Sequence, residues 1–270
     1  MTIELANKPK GDYSIIEGDD YTVTAIGAYA FAPINDIGNI TQEELEYLAS
    51  IINGDIDYGP TNIEVPETLL TIGDGAFMYC TNSVNIDLNI CKNLLSIGVG
   101  AFTGCYSLLS ITIPENVNTI GRAAFSDCKN LVELNYNAIA LNDLEYGNGV
   151  FQSIGEDSTG VKVTIGMDVK SIPTYIFWPY TDAYYPNVIE LNILSDNIEY
   201  IGEGAFSGLH YDHIVVLNSS YVYLNYLSGA LFSTATTVRV LASIDDGSNT
   251  YLNDNFTKTT EGEYNVYTKN

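Results

Sequence analysis

Ile72-Gly73-Asp74-Gly75-Ala76-Phe77 returns as Ile97-Gly98-Val99-Gly100-Ala101-Phe102. It returns again as Ile120-Gly121-Arg122-Ala123-Ala124-Phe125 and as Ile201-Gly202-Glu203-Gly204-Ala205-Phe206. A first copy stands at Ile26-Gly27-Ala28-Tyr29-Ala30-Phe31. Self-similarity at a fixed period marks a stacked-repeat architecture, in which each unit buries its apolar face only against its neighbours. The closing phenylalanine anchors the period. It occurs at Phe31, Phe77, Phe102 and Phe125, and further on at Phe151, Phe177, Phe206, Phe232 and Phe256.

From Phe77 onward successive anchors lie 25, 23, 26, 26, 29, 26 and 24 residues apart, and the 46 residues from Phe31 to Phe77 are two periods of 23. Every value falls in the range of about 20–29 residues that leucine-rich repeats use. The best copy reads Leu108-Leu109-Ser110-Ile111-Thr112-Ile113-Pro114, then Val117, Ile120-Gly121, Ala124-Phe125, Cys128 and Leu131. Ile111, Thr112 and Ile113 alternate as a half-buried strand does. Pro114 has no N–H to donate and suits the strand's end. Gly121 suits a tight, left-handed bend. Corresponding strands are read at Ile63–Val65, Ile86–Ile90, Leu131–Leu134, Val161–Ile165, Val188–Ile193, Ile214–Leu217 and Val238–Leu241. Stacked coils pair such strands in parallel about 4.8 Å apart, which sets each phenylalanine ring over the next.

The copies around Phe77, Phe102, Phe125 and Phe206 closely resemble the BspA-type, or Treponema-type, leucine-rich repeat, whose pattern Leu108 to Leu131 follows nearly throughout. The likeness runs from about Val23 to Phe256 and weakens at Ile172-Pro173-Thr174-Tyr175-Ile176-Phe177, at Leu227-Ser228-Gly229-Ala230-Leu231-Phe232 and around Phe256. The resemblance implies a surface-exposed or secreted protein, several relatives of which are adhesins toward host extracellular-matrix proteins. The expected fold is a single right-handed leucine-rich-repeat solenoid, β-rich with short parallel strands and one helix near the N-terminus. A cap or tail is expected over 1–25, the solenoid over 26–256, and a cap or tail over 257–270.

One segment departs from the β pattern. Thr41-Gln42-Glu43-Glu44 is a capping-box signature ahead of Leu45, Leu48, Ile51 and Ile52 on one helical face. A helix over about 42–52 follows, expected to cover the open N-terminal end of the stack. Thirty-four acidic residues against 10 basic ones give a net charge of −24. Such a surface repels phosphate backbones and anionic membranes, which disfavours nucleic-acid and membrane-surface roles. No run of 18 apolar residues predicts a membrane-spanning helix. Met1 to Lys8 carry no hydrophobic secretion segment, which leaves a cytoplasmic protein or a mature or truncated form with an added methionine, and the resemblance favours the second.

Cys80, Cys105 and Cys128 each stand three residues after an anchor phenylalanine. Positions on neighbouring coils span roughly 10 Å from first to last, too far for one zinc ion with sulfurs at about 2.3 Å, so a ladder of free buried thiols is expected. Cys91 falls at the proline position after a strand. His210 and His213 are the only histidines, and a solvated turn is favoured over a metal pair. No G-x-S-x-G elbow is present. Asp245-Asp246-Gly247-Ser248-Asn249 lacks the spacing and terminal glutamate of an EF-hand, and turn chemistry accounts for it. Catalysis is not expected, nor is a metal or cofactor.

Two surfaces are candidates for binding. Trp178-Pro179-Tyr180-Thr181-Asp182-Ala183-Tyr184-Tyr185-Pro186-Asn187 accounts for the 29-residue gap and holds the only tryptophan. Insertions in a solenoid emerge as loops on one face, and rigid aromatics in a loop anchor protein interfaces or stack on sugars. The opposing reading folds Trp178, Tyr180, Tyr184 and Tyr185 back as local core. The second surface is the outward row of strand residues, with Glu64, Asn89, Thr112, Asn135, Thr164 and Asn192 as its members. The structural spine comprises Phe77, Phe102, Phe125, Phe151, Phe177, Phe206 and Phe232. The chain is expected to be a monomer, and its expected partner is a host or matrix protein. A glycan is the alternative, and a spacer displaying another domain is a third reading.

Overall fold

The computed structural model describes residues 2–3, 13–14, 23–33, 42–55, 57–82, 85–181, 184–209, 213–218 and 235–270. The chain winds as a β-solenoid of about six turns. Strands Ser110–Ile113, Glu133–Tyr136, Val161–Ile165, Val188–Ile193, His213–Leu217 and Ala235–Leu241 pair in parallel in that order, each beside the strand of the next coil. Toward the N-terminus a three-stranded parallel sheet joins Tyr13–Ser14, Asn62–Glu64 and Asn85–Ile86. A second ladder of two-residue strands links Thr2–Ile3, Ala25–Ile26, Thr71–Ile72, Ser96–Ile97 and Thr119–Ile120. Ser171–Ile172 and Tyr200–Ile201 pair separately. In Ser110–Ile113, Ile111 and Ile113 are buried while Ser110 and Thr112 face outward, as a period of two demands. One continuous apolar core runs through the coils from Val23 to Tyr267.

The recurring phrase builds the return arc. Phe31, Phe77, Phe102, Phe125, Phe151 and Phe177 are all buried, and their rings stack coil upon coil. Centroid separations are 5.0, 4.9, 5.2, 5.5 and 5.7 Å along that series, and 6.2 Å from Phe177 to Phe206. The backbone is tied in the same direction. The N–H of Phe77 donates to the carbonyl of Ala101, that of Phe102 to Ala124 and that of Phe125 to Val150, at 2.7, 2.7 and 2.9 Å. Phe232 lies outside the described residues. Phe256 is no rung: it opens an antiparallel strand, Phe256–Glu261, and packs against Tyr251.

The first glycine of the phrase serves a different purpose from the left-handed bend expected at Gly121. The left-handed residue stands two positions later. It is Gly75, Gly100 or Gly204 in three coils, at φ of 57, 60 and 63°, and Tyr29, Ala123 or Tyr175 in three others, at 53, 54 and 54°. Gly73, Gly98, Gly121 and Gly202 instead permit close approach between coils. A Cβ on Gly73 would lie 2.6 Å from the Ala28 nitrogen, and one on Gly98 2.5 Å from that of Asp74. Each of these glycines also donates its N–H to the isoleucine carbonyl of the coil before, as Gly121 does to Ile97 at 2.8 Å. Pro173 has no N–H and gives up that bond in its coil.

Several boundaries differ from expectation for local reasons. The strand read over Ile86–Ile90 stops after Asn85–Ile86, because the Asp87 carboxylate accepts the Asn89 N–H at 2.9 Å and turns Leu88–Ile90 into a 3₁₀ helix. The strand read from Leu131 begins at Glu133, and Tyr136 becomes its second inward residue. The helix Gln42–Ile52 forms, with Ile51 buried and Tyr47 edge-on to Tyr58. It does not form the ladder's end. The strands on either side of its insertion pair directly with earlier coils, and Thr2–Ile3 and Tyr13–Ser14 occupy the N-terminal edges. Thr41, its expected cap, lies outside the described residues. At the other end, Tyr264–Lys269 pairs antiparallel with both Ala235–Leu241 and Phe256–Glu261, so residues 257–270 close the parallel ladder as a hairpin.

Truncating a central rung removes a ring packed on both faces. Phe102→Ala is expected to cost about 3–5 kcal/mol in a denaturant melt, and Gly121→Ala about 1–3 kcal/mol through the inter-coil clash. Midpoints within error of the parent for both variants would contradict this packing.

Candidate functional site

The reactive side chains of the core are sealed in. Cys80, Cys105 and Cys128 are free, fully buried and arranged one per coil. Their thiols donate to the carbonyls of Phe31, Phe77 and Phe102, the anchor one coil back, at 3.3, 3.1 and 3.3 Å. Burial pushes the Cys105 and Cys128 thiols well above the ordinary range, and the neighbouring thiol adds to this. Cys91 caps the 3₁₀ helix and reaches the Pro66 carbonyl at 3.6 Å. Burial, then Asp87 and Glu67, raise its thiol to about 11. His213 sits fully buried in a strand, not in a solvated turn. His210 lies outside the described residues. Asp245 is a cap fastener: its carboxylate accepts from the Tyr267 hydroxyl and the Asn265 amide, both at 2.8 Å, and pairs with Lys258 at 2.9 Å. Asp245 and Asp246 also accept the N–H groups of Gly247 and Ser248, which is turn geometry. Among the described residues no group of three or more His, Cys, Asp or Glu is placed to hold a metal ion.

The outward sheet face carries two registered rows. One is Thr112–Asn135–Thr164–Asn192–Val216–Arg239, and the other is Ser110–Glu133–Lys162–Glu190–Ile214–Thr237. The rows are cross-braced, since Asn135 donates to Glu133 and Asn192 to Glu190, each at 2.8 Å, and Lys162 stands 3.9 Å from Glu190. Thr112, Asn135, Thr164 and Asn192 are thus brought together. Glu64 belongs instead to the three-stranded sheet, and Asn89 to the 3₁₀ turn. Asn89 borders a shallow depression of about 200 Å³ with Lys92, Glu115, Asn137 and Met167. Val216 continues the row, while Asn218 follows the strand's end and accepts from the Tyr264 hydroxyl at 3.3 Å.

The aromatic loop is pinned against earlier coils. The Tyr180 N–H donates to Gln152 Oε1 at 3.0 Å, and the Ser153 N–H to the Tyr184 carbonyl at 3.1 Å. Trp178 is half-buried, with its ring 5.4 Å from Tyr146 and 6.4 Å from Tyr175, and Tyr146 stands edge-on to Tyr175 at 5.4 Å. Tyr185 is half-buried, while Tyr146, Tyr180 and Tyr184 remain 66, 56 and 49% exposed. The Arg122 guanidinium lies 4.1 Å over the Tyr180 ring. The loop therefore packs its base and displays its tips. Sequence reading missed Tyr146, Tyr175 and Arg122. A second insertion explains Tyr146. The bridge between Ala140 and Ser171 makes Leu141 the counterpart of Ile172, so ten residues separate Leu141 from Phe151 where five separate Ile120 from Phe125. A shorter route through the preceding strand hides it, leaving an ordinary anchor gap of 26.

These features define a leucine-rich-repeat solenoid. Residues 58–183 match the BspA type leucine rich repeat region in six copies, so the chain carries a repeat region of that family. Among solved structures it is similar to the pneumococcal vaccine antigen PcpA, at 17% identity and a TM-score of 0.37, over 79% of this chain and 63% of that one. A leucine-rich repeat protein from Bacteroides ovatus is similar at 20% identity and a TM-score of 0.28, over 86% and 70% of the two chains. A leucine rich cell surface protein from Faecalibacterium prausnitzii is similar at 16% and 0.22, over 81% and 74%. No curated protein matches the chain.

A raised thiol pKa means less thiolate at a given pH. At pH 8 the thiolate fraction of Cys91 is about a hundredfold below that of an ordinary cysteine. Iodoacetamide at pH 8 is expected to leave all four cysteines unlabelled in the folded protein and to label four after denaturation. Rapid native labelling of Cys105 or Cys128 would contradict the buried ladder.

Proposed function

We propose that this chain is a non-catalytic, adhesin-like interaction module that acts outside the cell and recognises a host or matrix protein. The observation that carries the reading is the aromatic patch. Tyr146, Tyr180 and Tyr184 are exposed on two insertions that lean on consecutive coils. Rigid aromatic side chains on a fixed base lose little entropy on binding and dominate interface energetics. The BspA-type repeat region supports an interaction role and an extracellular setting. Among the described residues no helix is long and apolar enough to cross a membrane. The braced polar rows of the sheet supply a second, hydrogen-bonding face.

Binding to immobilised extracellular-matrix proteins tests this directly. The parent chain is expected to bind at least one of them. The Tyr180→Ala/Tyr184→Ala double variant is expected to bind about tenfold or more weakly at unchanged melting temperature. Equal binding by parent and variant contradicts the patch as the contact. Binding to a glycan array with silence on every protein favours carbohydrate recognition instead.

A further inference from the structure

Resting on that reading, we propose that the patch around Tyr146 receives an arginine or lysine side chain from a basic segment of the protein partner. Three observations converge on a cation. The patch already holds one, since the Arg122 guanidinium lies 4.1 Å over the Tyr180 ring, an intrachain version of the same contact. Tyr146 is the most exposed ring of the group, at 66%, and it is held from beneath by Tyr175 and Trp178, so its outer surface is presented in a fixed orientation.

The rim is acidic. Glu145 precedes Tyr146 and is exposed, and so are Asp143 and Glu203. Asp143 accepts the Tyr200 hydroxyl at 3.1 Å and the Thr174 N–H at 2.9 Å, while Glu203 accepts the Tyr175 N–H through its carbonyl at 3.1 Å. These bonds fix both acidic residues beside the ring cluster. Lys170, which precedes the strand Ser171–Ile172, is paired with Glu199 at 3.8 Å. A guanidinium or ammonium set on Tyr146 would meet a ring face and carboxylates together. The net charge of −24 draws a basic partner toward it. A neutral sugar would use the ring and leave the carboxylate rim without a counter-charge.

Trp178 is the chain's sole tryptophan and belongs to the cluster, so its fluorescence reports on this patch alone. The probe is the capped pentapeptide Gly-Arg-Gly-Arg-Gly, set against a twin with citrulline in place of arginine. The arginine peptide is expected to change Trp178 emission saturably, with an affinity that falls as salt rises, and the citrulline twin to do nothing. Tyr146→Ala, and separately Glu145→Gln/Glu203→Gln, are expected to weaken the response about tenfold. Glu64→Gln/Asp87→Asn removes the same charge on the N-terminal coils and is expected to leave it unchanged. Equal responses to both peptides, or equal losses from the distant and local charge variants, overturn the proposal. Matrix binding that persists while Trp178 ignores the arginine peptide sinks this inference and leaves the broader reading standing.

Discussion

A stacked phenylalanine whose own backbone is bonded to the next coil is the constraint on which the molecule depends. Each ring lies about 5–6 Å from its neighbours, and each central anchor N–H donates across to the following coil. Its carbonyl receives a cysteine thiol from that same following coil, as Phe77 does from Cys105. The same residue therefore fills the core, sets the rise between coils and satisfies buried polar groups. A coil has no stable core of its own, so rungs and bonds stand together.

This regularity governs where variation is tolerated. The glycines at 73, 98, 121 and 202 cannot grow a side chain without pushing the preceding coil away. Extra residues must leave the arc outward, and they do so at 142–148 and, among the described residues of the aromatic loop, at 178–181 and 184–187. Because both insertions start from packed positions, their aromatic tips are exposed yet held. The C-terminal hairpin turns the last parallel strand into an antiparallel edge, and the buried Asp245 carboxylate fastens it through Tyr267, Asn265 and Lys258. The edge strand Phe256–Glu261 is exposed beyond Phe256 and rich in threonine with a lysine, which discourages further strand addition.

The coil itself was legible because its signals are local and repeated. Alternation marks the strands, the glycine-alanine-phenylalanine phrase marks the arc, and the cysteine offset places the thiols. What stayed hidden was compensated or competitive. The insertion carrying Tyr146 is cancelled in length by a shorter strand passage, so no gap betrays it. Asn89 reads as a strand residue until the Asp87 carboxylate is seen to bend the chain. Gly121 invites a left-handed bend, yet Ala123 takes that conformation while Gly121 answers to a neighbouring backbone that sequence cannot show. Arg122 over Tyr180 joins residues 58 apart across two coils, a contact no spacing rule predicts.

Native-state hydrogen exchange tests the central claim most directly. The amides of Phe77, Phe102 and Phe125 should be among the slowest in the chain and share one opening free energy, because a break at any rung exposes its neighbours. Fast exchange at these three amides, or three separate opening energies, would contradict a single continuous spine.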